Sequence, residues 1–237
     1  MTADSAAGGL SVPAPARPLA VVRRLVTGTP KPPVIRAVRA VGAGLARTVL
    51  ALRVEGAHHV PATGPVLLAG NHSGILDGPL VFFLSPRPAT LLTKSEVFVG
   101  VWARACGWLA LIPVHRGVPD RAALKAGLAH LEAGGALGVF PEGSRGSGSF
   151  DSVADGLAYL ALRSGAAVVP IAVHGTRAAL PKGRLLPRFR TPVRVVFGPP
   201  VPLAVPGDPR ARSTVRAAAE QLRVGLVDHL RRTTPEA

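Results

Sequence analysis

The residues best suited to chemistry lie in Asn71-His72-Ser73-Gly74-Ile75-Leu76-Asp77, directly after the apolar run Val66–Ala69. A polar turn at the end of a strand is where α/β domains place reactive groups. A carboxylate that holds an imidazole fixes its tautomer and steadies its positive charge, leaving the other ring nitrogen to act as general base. Positions five apart point away from each other on a regular helix, so His72 and Asp77 meet only if the chain turns between them. Gly74 makes that turn feasible. Taken alone, the pair is better read as a turn histidine followed by an aspartate capping a helix that starts near Gly78-Pro79.

Three further segments carry polar groups at the ends of apolar runs. Phe140-Pro141-Glu142-Gly143-Ser144-Arg145-Gly146-Ser147-Gly148 is Gly-rich, so its backbone N–H groups could face an anion, and Arg145 offers a bidentate fork for phosphate. Glu142 could accept hydrogen bonds from substrate hydroxyls. The spacing matches neither a Walker loop nor a dinucleotide fingerprint, and an ordinary surface loop is the alternative. Gly107 leads into a strand that ends at His115-Arg116, where Arg116 is either a second phosphate cation or one more solvated arginine. Val169-Pro170-Ile171-Ala172 places a proline inside an apolar run, which predicts an edge or bulged strand.

Together and in this order, the segments resemble the glycerolipid acyltransferase family, the glycerol-3-phosphate and 1-acylglycerol-3-phosphate acyltransferases. The family's four blocks are His-x4-Asp, a Gly before a strand ending in Arg, Phe-Pro-Glu-Gly-(Thr/Ser)-Arg and Val-Pro-(Ile/Val). They correspond here to His72…Asp77, Gly107…Arg116, Phe140–Arg145 and Val169–Ile171. The resemblance implies that His72 deprotonates the acceptor hydroxyl while Asp77 orients it. It also implies that Arg116, Glu142, Gly143, Ser144 and Arg145 hold the acceptor's phosphate and glycerol, with Lys94 a further basic contact. The donor implied is an acyl-coenzyme A or acyl-carrier-protein thioester, used as cosubstrate with no bound cofactor. The acceptor implied is a lysophospholipid, 1-acylglycerol-3-phosphate above all, or another lipid by the same chemistry. Two departures bear on the acceptor: Ser144 stands where Thr is commoner, and Asp151–Gly156 lacks the lysine of the family's Phe-Lys-x-Gly.

No acyl-enzyme is expected, because Ser73 adjoins the histidine without the Gly-x-Ser-x-Gly surroundings of a nucleophile elbow. The single cysteine, Cys106, sits in apolar surroundings and reads as an inert thiol of a reducing compartment. No metal is expected: the seven histidines are scattered, and His58-His59 has no ligand spacing to a partner.

Seven strands are predicted to position these groups: Arg53–Glu55, Val66–Ala69, Thr90–Leu92, Leu109–Val114, Ala136–Phe140, Val168–Val173 and Val193–Phe197. Helices are expected at Pro79–Leu84, Val97–Ala105, Asp120–Ala133, Val153–Arg163 and Ser213–Arg231. The alternation predicts an α/β domain over residues 53–237, with a central, largely buried sheet flanked by helices. Residues 1–33, rich in Ala, Pro and Gly, read as a flexible arm. Residues 34–52 read as a basic amphipathic helix, with Val34, Ile35, Val38, Val41, Leu45, Val49 and Leu52 at helical spacing. That stripe either covers the core or lies on a membrane surface.

The chain of 237 residues is 48% hydrophobic, enough for one sizeable core. Its net charge of +15 favours an anionic partner: a bilayer, nucleic acid or a phosphorylated substrate. Nucleic acid is disfavoured, since 4% aromatic residues leave few stacking platforms and no reading motif is recognisable. Neither a secretory signal nor a spanning segment is expected, because Arg104 interrupts the most apolar stretch. The expectation is therefore a peripheral protein on the cytoplasmic face of the cell membrane. A non-catalytic binder of anionic lipid is the rival, and it has no need of His72.

Overall fold

A computed structural model describes residues 32–97, 111–115, 120–143 and 145–234. The strands are β1 (Ala51–Glu55), β2 (Val66–Gly70), β3 (Ala89–Lys94), β4 (Ile112–Val114), β5 (Ala136–Val139), β6 (Ala167–His174) and β7 (Pro192–Phe197). They form one sheet in the order β1-β7-β6-β2-β5-β3-β4. The five strands from β6 to β4 run parallel, while β7 is antiparallel to β6 and parallel to β1.

Helices cover both faces, as a sheet of near-continuous apolar strands requires. In β2, Val66 and Leu68 point to one face and Leu67 and Ala69 to the other, all fully buried. The first face packs under α1 (Pro32–Val49) and α2 (Asp77–Leu84) with Leu80, Val81, Ile171 and Val195. The second packs under α3 (Arg121–Glu132), α4 (Asp155–Ser164) and α6 (Arg212–Thr233) with Leu131, Leu157, Leu222 and Leu226. A single-turn helix, α5 (Thr176–Ala179), follows β6. Asp120 caps α3 by accepting from Ala123 N at 2.9 Å. Burial pushes its carboxyl up, but the N–H groups of Ala123 and His115 and the His115 ring outweigh that and hold it below the usual range.

At the N-terminal edge of the parallel strands, one side chain gathers three loops. Arg87, just ahead of β3, donates to Pro61 O at 3.2 Å, Gly64 O at 2.9 Å and Gly134 O at 2.6 Å. The chain therefore enters β2, β3 and β5 through a common clip.

Several sequence expectations need correction. The amphipathic helix runs over Pro32–Val49 rather than 34–52, because Ala51 and Leu52 pair with Pro192 and Val193 of β7. Its first two residues come from the stretch read as a flexible arm; residues 1–31 lie outside the described residues. The apolar stripe is also divided: Ile35 and Val49 face the core, whereas Val34, Val38, Val41 and Leu45 are exposed. The strand expected over Leu109–Val114 begins at Ile112, with Leu109 and Ala110 outside the described residues. The helix expected over Val97–Ala105 lies outside them too, apart from Val97 at the end of a 3₁₀ turn.

Pro170 does not mark an edge, since β6 lies between β7 and β2. Its missing N–H would face β7, where the ladder runs only from Ile171↔Phe197 to His174↔Arg194 and resumes at the isolated Val168↔Val201 bridge. Gly198 N still reaches Pro170 O at 2.8 Å, so the proline occupies a gap where no donor is needed.

Candidate active site

Three adjacent strands deliver the candidate residues to one edge of the sheet. The end of β2 leads to His72, the end of β5 to Phe140 and Glu142, and the end of β6 to Thr176. Carboxyl ends of parallel strands are open to ligands because the connecting loops diverge there.

Between β2 and α2 the chain folds back on itself. His72 Nδ1 lies 3.0 Å from Asp77 Oδ2, and that same oxygen accepts from Ser73 N at 2.8 Å and Gly74 N at 2.7 Å. Oδ1 takes the Thr176 hydroxyl at 2.5 Å. Asp77 is wholly buried, so these four donors replace its water. Contact with a carboxylate acceptor suits the tautomer that carries its proton on Nδ1, in which Nε2 keeps its lone pair. Asp77 is the first residue of α2 but does not cap it as the capping reading expects: Leu76 holds the N-cap position without a side-chain bond, and the Asp77 carboxylate reaches back to the histidine instead. Gly74 is needed for packing: a Cβ there would lie 2.6 Å from Thr176 Oγ1.

The loop after β5 braces this turn. Glu142 Oε1 accepts from His72 N at 3.0 Å, Gly146 N donates to His72 O at 3.0 Å, and the Phe140 ring stacks on the imidazole at 4.4 Å. Gly148 adopts φ +73°, and a Cβ there would come within 3.0 Å of Ser73 Cβ. Burial raises the Glu142 carboxyl above the usual range, opposed by the His72 N–H, the His72 charge and the N–H groups of Gly148 and Phe150. One oxygen of Glu142 is thus committed to the protein's own backbone rather than to a substrate hydroxyl.

The cations stand apart from this braced core. Arg145 is exposed on the same loop, two residues beyond Gly143, which turns at φ +69°. Lys94 ends β3, two strands from β2, and pairs with Glu96 at 2.9 Å. Val114 sits opposite Lys94 in the β3–β4 register, so the chain leaves β4 at this edge. Arg116 and Ser144 themselves lie outside the described residues, as do Cys106 and Gly107. A groove of about 540 Å³, lined by residues that include Arg53, Glu55, His174 and Arg194, does not include the dyad. Among the described residues no cluster of three His, Cys, Asp or Glu side chains could hold a metal ion.

Sequence reasoning did not single out Thr176 or Asn71. Asn71 is buried and exchanges both amide groups with the Val173 backbone, at 2.7 and 3.2 Å, extending β2 beside β6. Its signal was its place between a strand and the histidine. Thr176 is 99 residues from Asp77, and only its place after a strand end marks it.

An imidazole oriented by a buried carboxylate, at the carboxyl edge of a parallel sheet on an α/β scaffold, is an arrangement able to accept a proton at Nε2. The acyltransferase family model matches residues 51–174, just over half the chain, and the protein belongs to that family. It is 28% identical over 155 residues to a chloroplastic 1-acyl-sn-glycerol-3-phosphate acyltransferase of Arabidopsis thaliana, covering 63% of this chain and 43% of that one. It is 27% identical over 130 residues to the 1-acyl-sn-glycerol-3-phosphate acyltransferase of Borreliella burgdorferi, covering 52% of this chain and 51% of that one. The chain thus spans about half the length of the curated relatives it matches. The crystal structure of the 1-acyl-sn-glycerophosphate acyltransferase PlsC from Thermotoga maritima shares the fold, with a TM-score of 0.61 and 24% identity over 86% of this chain and 82% of that one.

Proposed function

We propose that the protein transfers a fatty acyl group from an acyl-coenzyme A or acyl-carrier-protein thioester to the free hydroxyl of 1-acylglycerol-3-phosphate, giving phosphatidic acid. The observation that carries the reading is the His72–Asp77 pair, whose outer nitrogen has no hydrogen-bond partner among the described residues. His72 Nε2 takes the hydroxyl proton as the oxygen attacks the thioester carbonyl. The tetrahedral intermediate collapses with loss of the thiolate, which recovers the proton from the imidazolium. Asp77 steadies that cation, so no serine or cysteine carries the acyl group. General base action supplies about 10²–10⁴-fold, and positioning must supply much of the rest. Arg116 and Arg145 hold the phosphate, Gly143 and Ser144 contact the same acceptor, and Lys94 adds charge at the rim. The relatives named for this acceptor support the choice.

Another lipid acceptor is the second reading. It is favoured by Asp151 and Asp155, which put two carboxylates after the glycine-rich loop. In either case the protein works peripherally on the cytoplasmic face of the cell membrane. No helix among the described residues is long and apolar enough to cross a bilayer, while α1 exposes Val34, Val38, Val41 and Leu45.

The test incubates the purified protein with labelled acyl donors and a panel of lysophospholipids, amino-acid lipids and glycolipids, read by mass spectrometry. Phosphatidic acid should form, and a folded His72→Ala protein should form none. Acylation of a different acceptor alone would replace the head-group assignment, and normal turnover by His72→Ala would end the general-base mechanism.

A further inference from the structure

We propose that the loop 180–191, between α5 and β7, is a membrane-insertion element that docks an anionic bilayer at the sheet edge carrying His72 and Asp77. The proposal rests on the lipid-acceptor reading above and adds which surface meets the lipid.

The loop combines two features that oppose each other in a purely aqueous setting. Leu185 is 96% exposed, and Leu186 and Phe189 are each 73% exposed, so three large apolar side chains within five residues face solvent. Such clustering marks a contact surface, whereas single exposed apolar residues do not. Around them stand Arg177, Lys182, Arg184, Arg188 and Arg190, with no acidic residue from Thr176 to Thr191. None of these five meets a carboxylate among the described residues, whereas Arg194, Arg223 and Arg232 pair with Glu55, Glu220 and Asp228. A surface that accepts leucine side chains and guanidinium groups together is an anionic lipid interface. A nucleic acid would match the cations and leave the leucines in water.

The loop is held in place at its base. Arg188 N donates to Ala179 O at 2.7 Å, Arg190 N to Val49 O at 2.6 Å and Ala51 N to Thr191 O at 3.0 Å. The second of these bonds joins the loop to the C-terminus of α1, one turn beyond the exposed Leu45. The loop starts one short helix after Thr176, whose hydroxyl holds Asp77. Ile75, between the two dyad residues, is 52% exposed. Insertion of the loop therefore presents the dyad edge, rather than the Arg87 edge, to the lipid.

The experiment uses the full chain and flotation with phosphatidylglycerol/phosphatidylcholine vesicles or phosphatidylcholine alone, at low and high salt. Leu185→Ser/Leu186→Ser/Phe189→Ser should retain its melting temperature and lose about tenfold or more in affinity for the mixed vesicles, at both salt levels. Arg184→Gln/Arg188→Gln should lose affinity mainly at low salt. Phe189→Trp should gain fluorescence quenching from brominated acyl chains over the wild type, whose tryptophans are Trp102 and Trp108. Unchanged vesicle affinity in the triple serine variant, with wild-type binding intact, overturns the loop assignment alone. Loss confined to the charge variant would describe a polyanion surface without insertion, and would also overturn it. If the wild type binds no vesicle, the loop assignment falls with the membrane reading.

Discussion

At the His72 turn, both oxygens of a fully buried carboxylate are taken up, three donors on one and a hydroxyl on the other, and the imidazole is stacked and hydrogen-bonded on its inner side. On the loop after β5, Arg145 is exposed, and Lys94 across the rim pairs with the exposed Glu96. Both regions stand at the same sheet edge. The first has its ordering completed during folding, so it is ready before substrate arrives. The second consists of exposed side chains, so holding an anion there would cost their freedom and a hydration shell. Damage to the turn should therefore appear in turnover, and damage to the rim in acceptor affinity and its salt dependence.

Asp77→Asn tests the turn most severely. An amide placed against Ser73 N, Gly74 N and His72 Nδ1 either opposes donor to donor or flips and leaves Thr176 facing an NH₂ group. Turnover should drop about 10²–10⁴-fold with acceptor KM nearly constant. Steady-state kinetics with both substrates varied reads this, and a change confined to KM would refute the division between turn and rim. Arg145→Ala should raise the acceptor KM about ten- to hundredfold, the loss of a charge-assisted contact, with kcat and donor KM little altered. Added salt should narrow the gap from wild type. An effect on donor KM alone would remove Arg145 from the phosphate.

Thr176→Val keeps the shape and removes one of the four donors, so it should cost about 1 kcal/mol in stability and tenfold or less in kcat. Retention of wild-type kinetics and melting would mean that the single bond to Oδ1 contributes nothing measurable. The mildest change, Glu142→Gln, keeps an oxygen for His72 N and discards the ionisation. Because burial raises the glutamate's pKa on folding, the neutral form is favoured in the native state. The stability it lends is present at low pH and fades as pH rises through the raised value, above about pH 4.3. Melting curves from pH 4 to pH 7 should show Glu142→Gln gaining on the wild type as pH increases. A constant or shrinking gap would contradict the sign.

The same contrast explains what sequence could reveal. The central strands were legible because β2, β5 and β6 are the apolar runs that a doubly covered sheet demands, whereas the edge strand β1 is half exposed and was read only from Arg53 to Glu55. Their order was not, since parallel neighbours are joined through distant helices and nothing local reports that β6 lies beside β2. The histidine and aspartate were ambiguous by their spacing and stood out only beside the other three blocks, whereas Thr176 acts across a pairing that only the folded sheet creates. Helix α1 was read as a single apolar stripe that either covers the core or meets lipid. Its residues divide between a buried and an exposed face, and its last expected turn is captured by β7. Deleting residues 34–52 would thus remove core packing and part of a strand, so single exposed positions such as Val41 are the better probes of membrane contact.

The Arg87 clip gives the molecule a direction of opening. With the entries to β2, β3 and β5 tied to one guanidinium, and the far ends of β2 and β5 joined through His72 and Glu142, fluctuations should start at the far end of β3 and travel back toward Arg87, as a zip parts from its free end. Backbone amides should then form a gradient of deuterium uptake along β3, slowest beside Arg87 and fastest toward Lys94. Arg87→Ala should flatten that gradient before it changes any rate at His72.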